Sequence, residues 1–336
     1  MGGMRDLLTT QDKNYDPLWC SRAVVLPGYL EARKRKPKGL SRIDDCIWGW
    51  KLFRTSSHYK AVITGSERLS LIFALLQKFR FRKVPHIIMQ SMWNLPGAGW
   101  KRPILRFFLR TIANSACRVV VYSRRQLQLY PREIGIPADK LVFLHSHTYL
   151  FGENHSTSRG DYIFSGGDSN RDHHTLIESV RDMPCRVVIV THQAEAIKKL
   201  NPSSNVELIN GLPLSEFNRM MAGSLAVVVA LKPGKIETGG RSVYGNAMAL
   251  GKTVVVADDD TGDYIHDGLD GLVVPPGNVA ALRNALQRVL ADPALAESLG
   301  HNARQTAKAM DPKKFYLAIF DLADLCAQRS AASLNS

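Results

Sequence analysis

The chain has 336 residues, 45% hydrophobic and 22% charged, with a formal net charge of +14; this balance excludes disordered and fibrous classes and suits two domains of about 150 residues each. The charge is segregated: residues 1–150 hold 26 Lys and Arg against 9 Asp and Glu, a balance of +17, whereas residues 151–336 hold 18 against 21, or −3. A basic half joined to a near-neutral half points the first half at a polyanion, either nucleic acid or an anionic membrane surface.

Five scattered cysteines, Cys20, Cys46, Cys117, Cys185 and Cys326, form no CxxC or Cys/His cluster, so reduced thiols and a cytoplasmic setting are expected. No apolar run approaches the ~20 residues that span a bilayer, and the first residues lack a signal-peptide core.

In chain order, short β-branched runs alternate with helical patterns, the mark of βα units and parallel sheets. The predicted strands are 23–26, 61–64, 86–89, 118–122 and 141–144, then 162–165, 186–191, 206–209, 226–230, 253–257 and 271–274. The polar stretch GENHSTSRG, 152–160, reads as a linker. The expected fold is α/β, with two Rossmann-like doubly wound domains, 1–150 and 151–336, facing a central cleft. The last amphipathic stretch, 311–327, could cross back onto the first domain.

In the first half the basic residues cluster at 33–38, 80–83 and 101–110, with apolar residues mixed among them. A helix over 102–116, with Pro103 in its first turn, puts Arg102, Arg106 and Arg110 on one face beside a stripe of Leu105, Phe108, Leu109 and Ile112. Basic beside apolar is the pattern of a helix lying on a membrane; an ordinary domain helix burying that stripe is the other reading. His86, Trp93 and Asn94, around the strand at 86–89, are the candidate acceptor residues.

In the second half, SGGDSNRDHHTLI at 165–177 and ETGGRSVYGNAMALGKTVVV at 237–256 each carry a glycine loop from a strand into a helix. Bare amides and the positive end of a helix dipole make such a loop an anion site, and glycine lets a pyrophosphate approach the main chain. Both loops lie at strand C-terminal ends, where Arg171 and Arg241 could add charge-assisted bonds. An ordinary strand-to-helix turn is the plainer alternative for each.

On these motifs, with VELINGLPLSEFNRMM and YIHDGLDGLVVPPGNVAALRNALQRVL in the same order, residues 162–309 resemble the donor-binding domain of GT-B nucleotide-sugar glycosyltransferases, especially glycosyltransferase family 4. The resemblance implies a retaining transfer from a UDP- or GDP-sugar to a hydroxyl, with no cofactor and no metal. It puts Gly166 and Gly167 beside the diphosphate, Arg171 at a basic phosphate contact, and Gly211, Leu212 and Pro213 by the nucleotide base. Gly239, Gly240, Arg241 and Ser242 would wrap the phosphates and donor sugar, with Asn246 where the family's second motif glutamate holds the ribose. The family's first glutamate stands eight residues before the second; here that position is Thr238, with Glu237 one residue earlier. Either Glu237 takes the role through a changed loop or the sugar is held without that carboxylate.

The expected enzyme is therefore a glycosyltransferase, peripheral on the cytoplasmic face of a membrane, with a lipid-linked or anionic acceptor. The rival readings are a soluble acceptor, an epimerase on the same fold, or a nucleic-acid binder. The last finds no helix-turn-helix, zinc-finger or ribonucleoprotein signature in the basic clusters, so no nucleic-acid partner is expected.

Overall fold

Runs such as Ala226–Ala230 and Thr253–Ala257 are buried along their whole length, as parallel strands are when helices cover both faces of their sheet. In the computed structural model they belong to one of two six-stranded sheets in which every neighbouring pair is parallel. The structure describes residues 5–11, 16–35, 41–65, 67–89, 93, 95, 99–148, 150–151, 160–234, 239–258 and 260–335. It divides into two compact units, 1–144 with 315–336, and 145–314.

The first unit holds β1 (Arg5–Thr9), β2 (Ala23–Val25), β3 (Tyr59–Thr64), β4 (His86–Ile88), β5 (Arg118–Val121) and β6 (Leu141–Phe143), in the order β2-β1-β3-β4-β5-β6. The longer helices of this stretch are α1 (Arg42–Ser56), α2 (Glu67–Gln77) and α3 (Lys101–Ser115). One face of the sheet buries Leu8 and Val62 against Leu52 of α1 and Leu69 and Phe73 of α2.

The second unit holds β7 (Tyr162–Gly166), β8 (Arg186–Thr191), β9 (Val206–Asn210), β10 (Ala226–Ala230), β11 (Thr253–Ala257) and β12 (Leu272–Val274), in the order β12-β11-β10-β7-β8-β9. Its longer helices are α4 (His173–Val180), α5 (Leu214–Gly223), α6 (Arg241–Ala249), α7 (Val279–Ala291) and α8 (Pro293–Thr306); α9 (Pro312–Asn335) follows. Side chains alternate across β10: Val227 and Val229 pack with Tyr244 and Ala303, while Ala226 and Val228 pack with Leu176 of α4 and Leu286 of α7. Strand order reverses between β7 and β10, the point at which doubly wound sheets bind ligands beyond the strand C-termini.

Three sequence expectations change. A further strand, β1, lies inside the first sheet with Leu7 and Leu8 fully buried; only two apolar residues between Arg5-Asp6 and Thr9-Thr10 mark it in the sequence. Residues 315–336, read above with the second domain, belong to the first unit. There Phe315, Tyr316, Ile319 and Phe320 of α9 bury themselves with Leu7, Ile63 and Val120, and Arg22 bridges Asp6 at 2.5 Å and Asp324 at 2.8 Å. Finally, Cys117 and Cys326, 209 residues apart, form a disulfide instead of remaining reduced. No local spacing could reveal that pair. Among the described residues no helix is long and apolar enough to cross a membrane.

The seat of α6 depends on a backbone contact. A β-carbon at Gly300 of α8 would lie 2.3 Å from the Gly251 carbonyl oxygen, just past the end of α6. Gly300→Ala must therefore push α8 off that turn, and overpacking of this kind costs about 1–3 kcal/mol. A lowered urea midpoint is expected; an unchanged midpoint would show that the contact is not tight.

Candidate functional site

The loops leaving β7 and β10 are bonded to each other at the switch point. Asp172 N donates to Ala230 O at 2.9 Å and Lys232 N to Asn170 O at 3.0 Å, while Arg171 and Leu231 form an isolated antiparallel bridge. Gly239 comes back over the first loop, its β-carbon position 3.5 Å from Ser169 O. The structure therefore brings together Gly166, Gly167, Arg171, Gly239, Gly240 and Arg241, as two facing loops of a parallel sheet require.

Arg171 is buried, and its guanidinium lies along main chain: Nε donates to Gly166 O at 3.0 Å and Nη1 to Ser169 O at 2.8 Å. Burial lowers its pKa to about 10, so it remains charged at neutral pH. Among the described residues no carboxylate forms an ion pair with it. Gly167 has φ +96°, and a β-carbon there would strike Arg171 Nη2 at 2.7 Å, so this position requires glycine both conformationally and sterically. A β-carbon at Gly166 would meet the Phe217 ring at 2.4 Å.

On the opposite loop, Gly239 and Gly240 both take the left-handed conformation, and Gly240 caps α6 without a side chain to accept its first amides. The positive end of the helix dipole therefore has no side-chain cap from residue 240. Ser242 is the exposed residue of that first turn. Arg241 is buried, its guanidinium 5.9 Å from the Tyr264 ring centre. Burial raises Tyr264 to about 12, and its hydroxyl accepts from Ser146 N at 3.0 Å. Asn246, on the same helix, is buried and accepts from the Thr148 hydroxyl through Oδ1.

Two further residues frame the site without having announced themselves. Asp168 accepts from Thr191 Oγ1 at 2.5 Å and from His192 N at 2.9 Å, and its other oxygen is 2.9 Å from His192 Nδ1, tying the β7 loop to the end of β8. Burial pushes its carboxyl up, yet the bonds from Thr191 and His192 outweigh this and hold it below the usual range. His192 Nε2 lies where a side chain at Gly211 would begin, 2.9 Å away; Leu212 packs on the core and Pro213 is exposed at the start of α5. Neither Asp168 nor His192 belongs to a spacing pattern, so nothing in the sequence singles them out.

Glu237, Thr238 and Asn94 lie outside the described residues. His86 is the first residue of β4, at the edge of the sheet opposite its strand C-termini, and is 1% exposed with Nε2 2.9 Å from Thr64 Oγ1. Trp93 is equally buried, stacked on Tyr130 at 5.9 Å. On α3, Arg102 pairs with Glu133 and Arg106 Nε reaches Ile134 O at 3.4 Å, while Arg110 is exposed. Leu109 and Ile112 are buried; Trp100, just before the helix, and Ile104 and Phe107 on it are 73%, 46% and 66% exposed. The helix therefore carries two apolar stripes, one buried in the core and one open.

Residues 162–306 match the family model described as Glycosyl transferases group 1. The structure is similar to sucrose-phosphate synthase from Thermosynechococcus elongatus, with a TM-score of 0.69 at 17% identity over 98% of this chain and 90% of that one. It is also similar to HepE from Anabaena in complex with UDP, with a TM-score of 0.67 at 14% identity over 99% and 100% of the two chains. A glycosyltransferase from Rickettsia africae gives 0.67 at 14% identity over 97% and 99%. No curated protein matches the chain. The fold is that of the GT-B enzymes, and the matched stretch marks the chain as a glycosyltransferase.

His86 gives the fold an acid-sensitive point. Burial lowers its pKa from 6.5 to about 3, so the unfolded chain takes up a proton that the folded chain refuses. Its contribution is complete above about pH 6.5 and is lost as pH falls toward 3, at about 1.4 kcal/mol per unit. Chemical denaturation should show His86→Gln losing less stability than the wild type between pH 6.5 and 4. Parallel profiles would rule out a neutral buried imidazole.

Proposed function

We propose that this chain transfers a sugar from a UDP- or GDP-sugar to a hydroxyl of a lipid-linked or membrane-associated acceptor. The transfer retains configuration, uses no metal, and takes place at the cytoplasmic face of a membrane. The observation that carries the reading is the buried guanidinium of Arg171, paired with no carboxylate among the described residues and set beside the uncapped start of α6. A charge held out of water calls for an anion, and glycine at 167, 239 and 240 leaves main chain open to a diphosphate. HepE from Anabaena, the same fold, has been solved with UDP-glucose.

As the sugar leaves, negative charge builds on the diphosphate. The α6 dipole and the guanidinia of Arg171 and Arg241 stabilise that developing charge, and fixed groups of this kind favour the transition state over the ground state. Asn246 takes the ribose and the turn Gly211, Leu212 and Pro213 the base; Gly166 and Gly240 line the phosphates, with Ser242 and Thr238 toward the sugar, whose hydroxyls Glu237 accepts. The first unit serves the acceptor beside Trp93 and Asn94; His86, buried at the opposite end of its strand, does not line that end. The open stripe of α3 and the cations Arg102, Arg106 and Arg110 face the membrane, where each basic side chain contributes about 1 kcal/mol.

A thermal-shift panel of UDP-, GDP-, ADP- and TDP-sugars tests the reading, since ligand at ~100 times its dissociation constant stabilises by about 2.7 kcal/mol. One uridine or guanosine member should raise the melting temperature, and Arg171→Gln should weaken that ligand at least about tenfold, the worth of one charge-assisted bond. Transfer of label from that donor to a membrane extract should survive EDTA. A flat panel would end the proposal, and EDTA-sensitive transfer would end its metal-free form.

A further inference from the structure

Between α2 and β4, at the end of the first sheet where its strands begin, the sequence Lys78-Phe79-Arg80-Phe81-Arg82-Lys83 forms a turn whose two phenylalanines are 87% and 97% exposed. That exposure is built in. Gln77 Nε2 donates to Val84 O at 2.6 Å and Val84 N to Gln77 Oε1 at 3.3 Å, closing the turn at its base, and both residues are buried. Between the phenylalanines Arg80 turns inward: Nη1 donates to Ser56 Oγ at 2.8 Å, Nη2 bonds Phe53 O, and the guanidinium stacks 4.1 Å from the Phe53 ring centre. A clasped turn that anchors its arginine and turns two aromatic rings to solvent has given up their burial, and an exposed apolar feature of this kind marks an interaction site.

Behind the turn runs a groove of about 700 Å³ between Lys60, Arg80, Arg82, Lys83 and the last turns of α9 at Ala327 and Ala331. No acidic side chain lines it among the described residues; the nearest counter-charge to Lys60 is Asp6, at 3.9 Å. The geometry points to an anionic lipid bilayer as the occupant, with Phe79 and Phe81 entering the interface and the groove cations holding phosphate headgroups. Aromatic rings favour that depth, and Lys and Arg beside them gain from anionic lipid. A second copy would bring an identical basic groove to a symmetric contact and be repelled. The turn lies at the edge opposite the strand C-termini, so it is a docking element separate from the ligand edge. The inference extends the membrane-surface reading above to a specific segment.

The test is co-sedimentation with vesicles of phosphatidylcholine alone and of phosphatidylcholine mixed with phosphatidylglycerol. Full-length wild type, Phe79→Ser with Phe81→Ser, and Arg82→Glu with Lys83→Glu are compared. The wild type should pellet with the anionic vesicles and far less with the neutral ones, and each double variant should lose at least about tenfold in partitioning while keeping the wild-type melting temperature and nucleotide response. If the wild type pellets and both variants pellet equally, the turn is not the contact although the membrane reading stands. A wild type that remains in the supernatant overturns both. Binding to single-stranded RNA in place of vesicles, lost in the same variants, overturns the lipid assignment.

Discussion

Taking a guanidinium out of water costs several kcal/mol unless something replaces its hydration. For Arg171 the replacement is incomplete by design of the fold: two carbonyl oxygens, those of Gly166 and Ser169, satisfy donors without neutralising the charge. The loop has to wrap the side chain to provide them, which is why residue 167 has no room for a β-carbon and why Asp172 and Lys232 knit the two loops together. The resulting positive charge is fixed in a low-dielectric pocket, where an anion is attracted more strongly than it would be at the surface. Nearby His173 records the same field: burial first, and then the charge of Arg171, lower its pKa to about 4.

The start of α6 completes the arrangement by leaving things out. A serine or aspartate at 240 would cap the first amides and consume the dipole; glycine at φ +79° does neither. Arg241 is buried over Tyr264 instead of reaching into solvent, and Tyr264 is itself held by Ser146 N. A cation placed against an aromatic face is attracted to the ring and keeps its charge.

Much of this was legible in the sequence because it rests on local rules. β-branched runs locate the buried strands, and a glycine pair between a strand and a small-residue helix locates an anion loop, so the sequence pattern marks every strand from 23 onward and both loops. What escaped depends on distant partners. β1 carries too few apolar residues to read as a strand, yet it is buried because β2 and β3 flank it. Cys117 meets Cys326 through the packing of α9 on the first sheet. His86, a candidate acceptor residue in the sequence, begins its strand, whereas ligands gather where strands end. The 80–83 cluster was visible as alternating basic and aromatic residues, but whether its rings were core or surface turned on the Gln77–Val84 clasp, which no periodicity encodes.

The two halves handle positive charge by opposite physics. The second unit, near neutral overall, concentrates its effect by desolvating two guanidinia against fixed dipoles, where added salt screens little. The first unit spreads its charge over exposed side chains such as Arg82 and Lys83, each of which acts within a Debye length of about 8 Å at physiological salt. A buried cation needs a ligand of one shape and gains specificity; an exposed set gains from any dense array of phosphates and is weakened by ions. The proposed function, recognition of one soluble diphosphate at an anionic surface, calls for both kinds of site. That need accounts for a +17 half joined to a −3 half better than solubility does, since solubility would be served as well by charge spread evenly along the sequence.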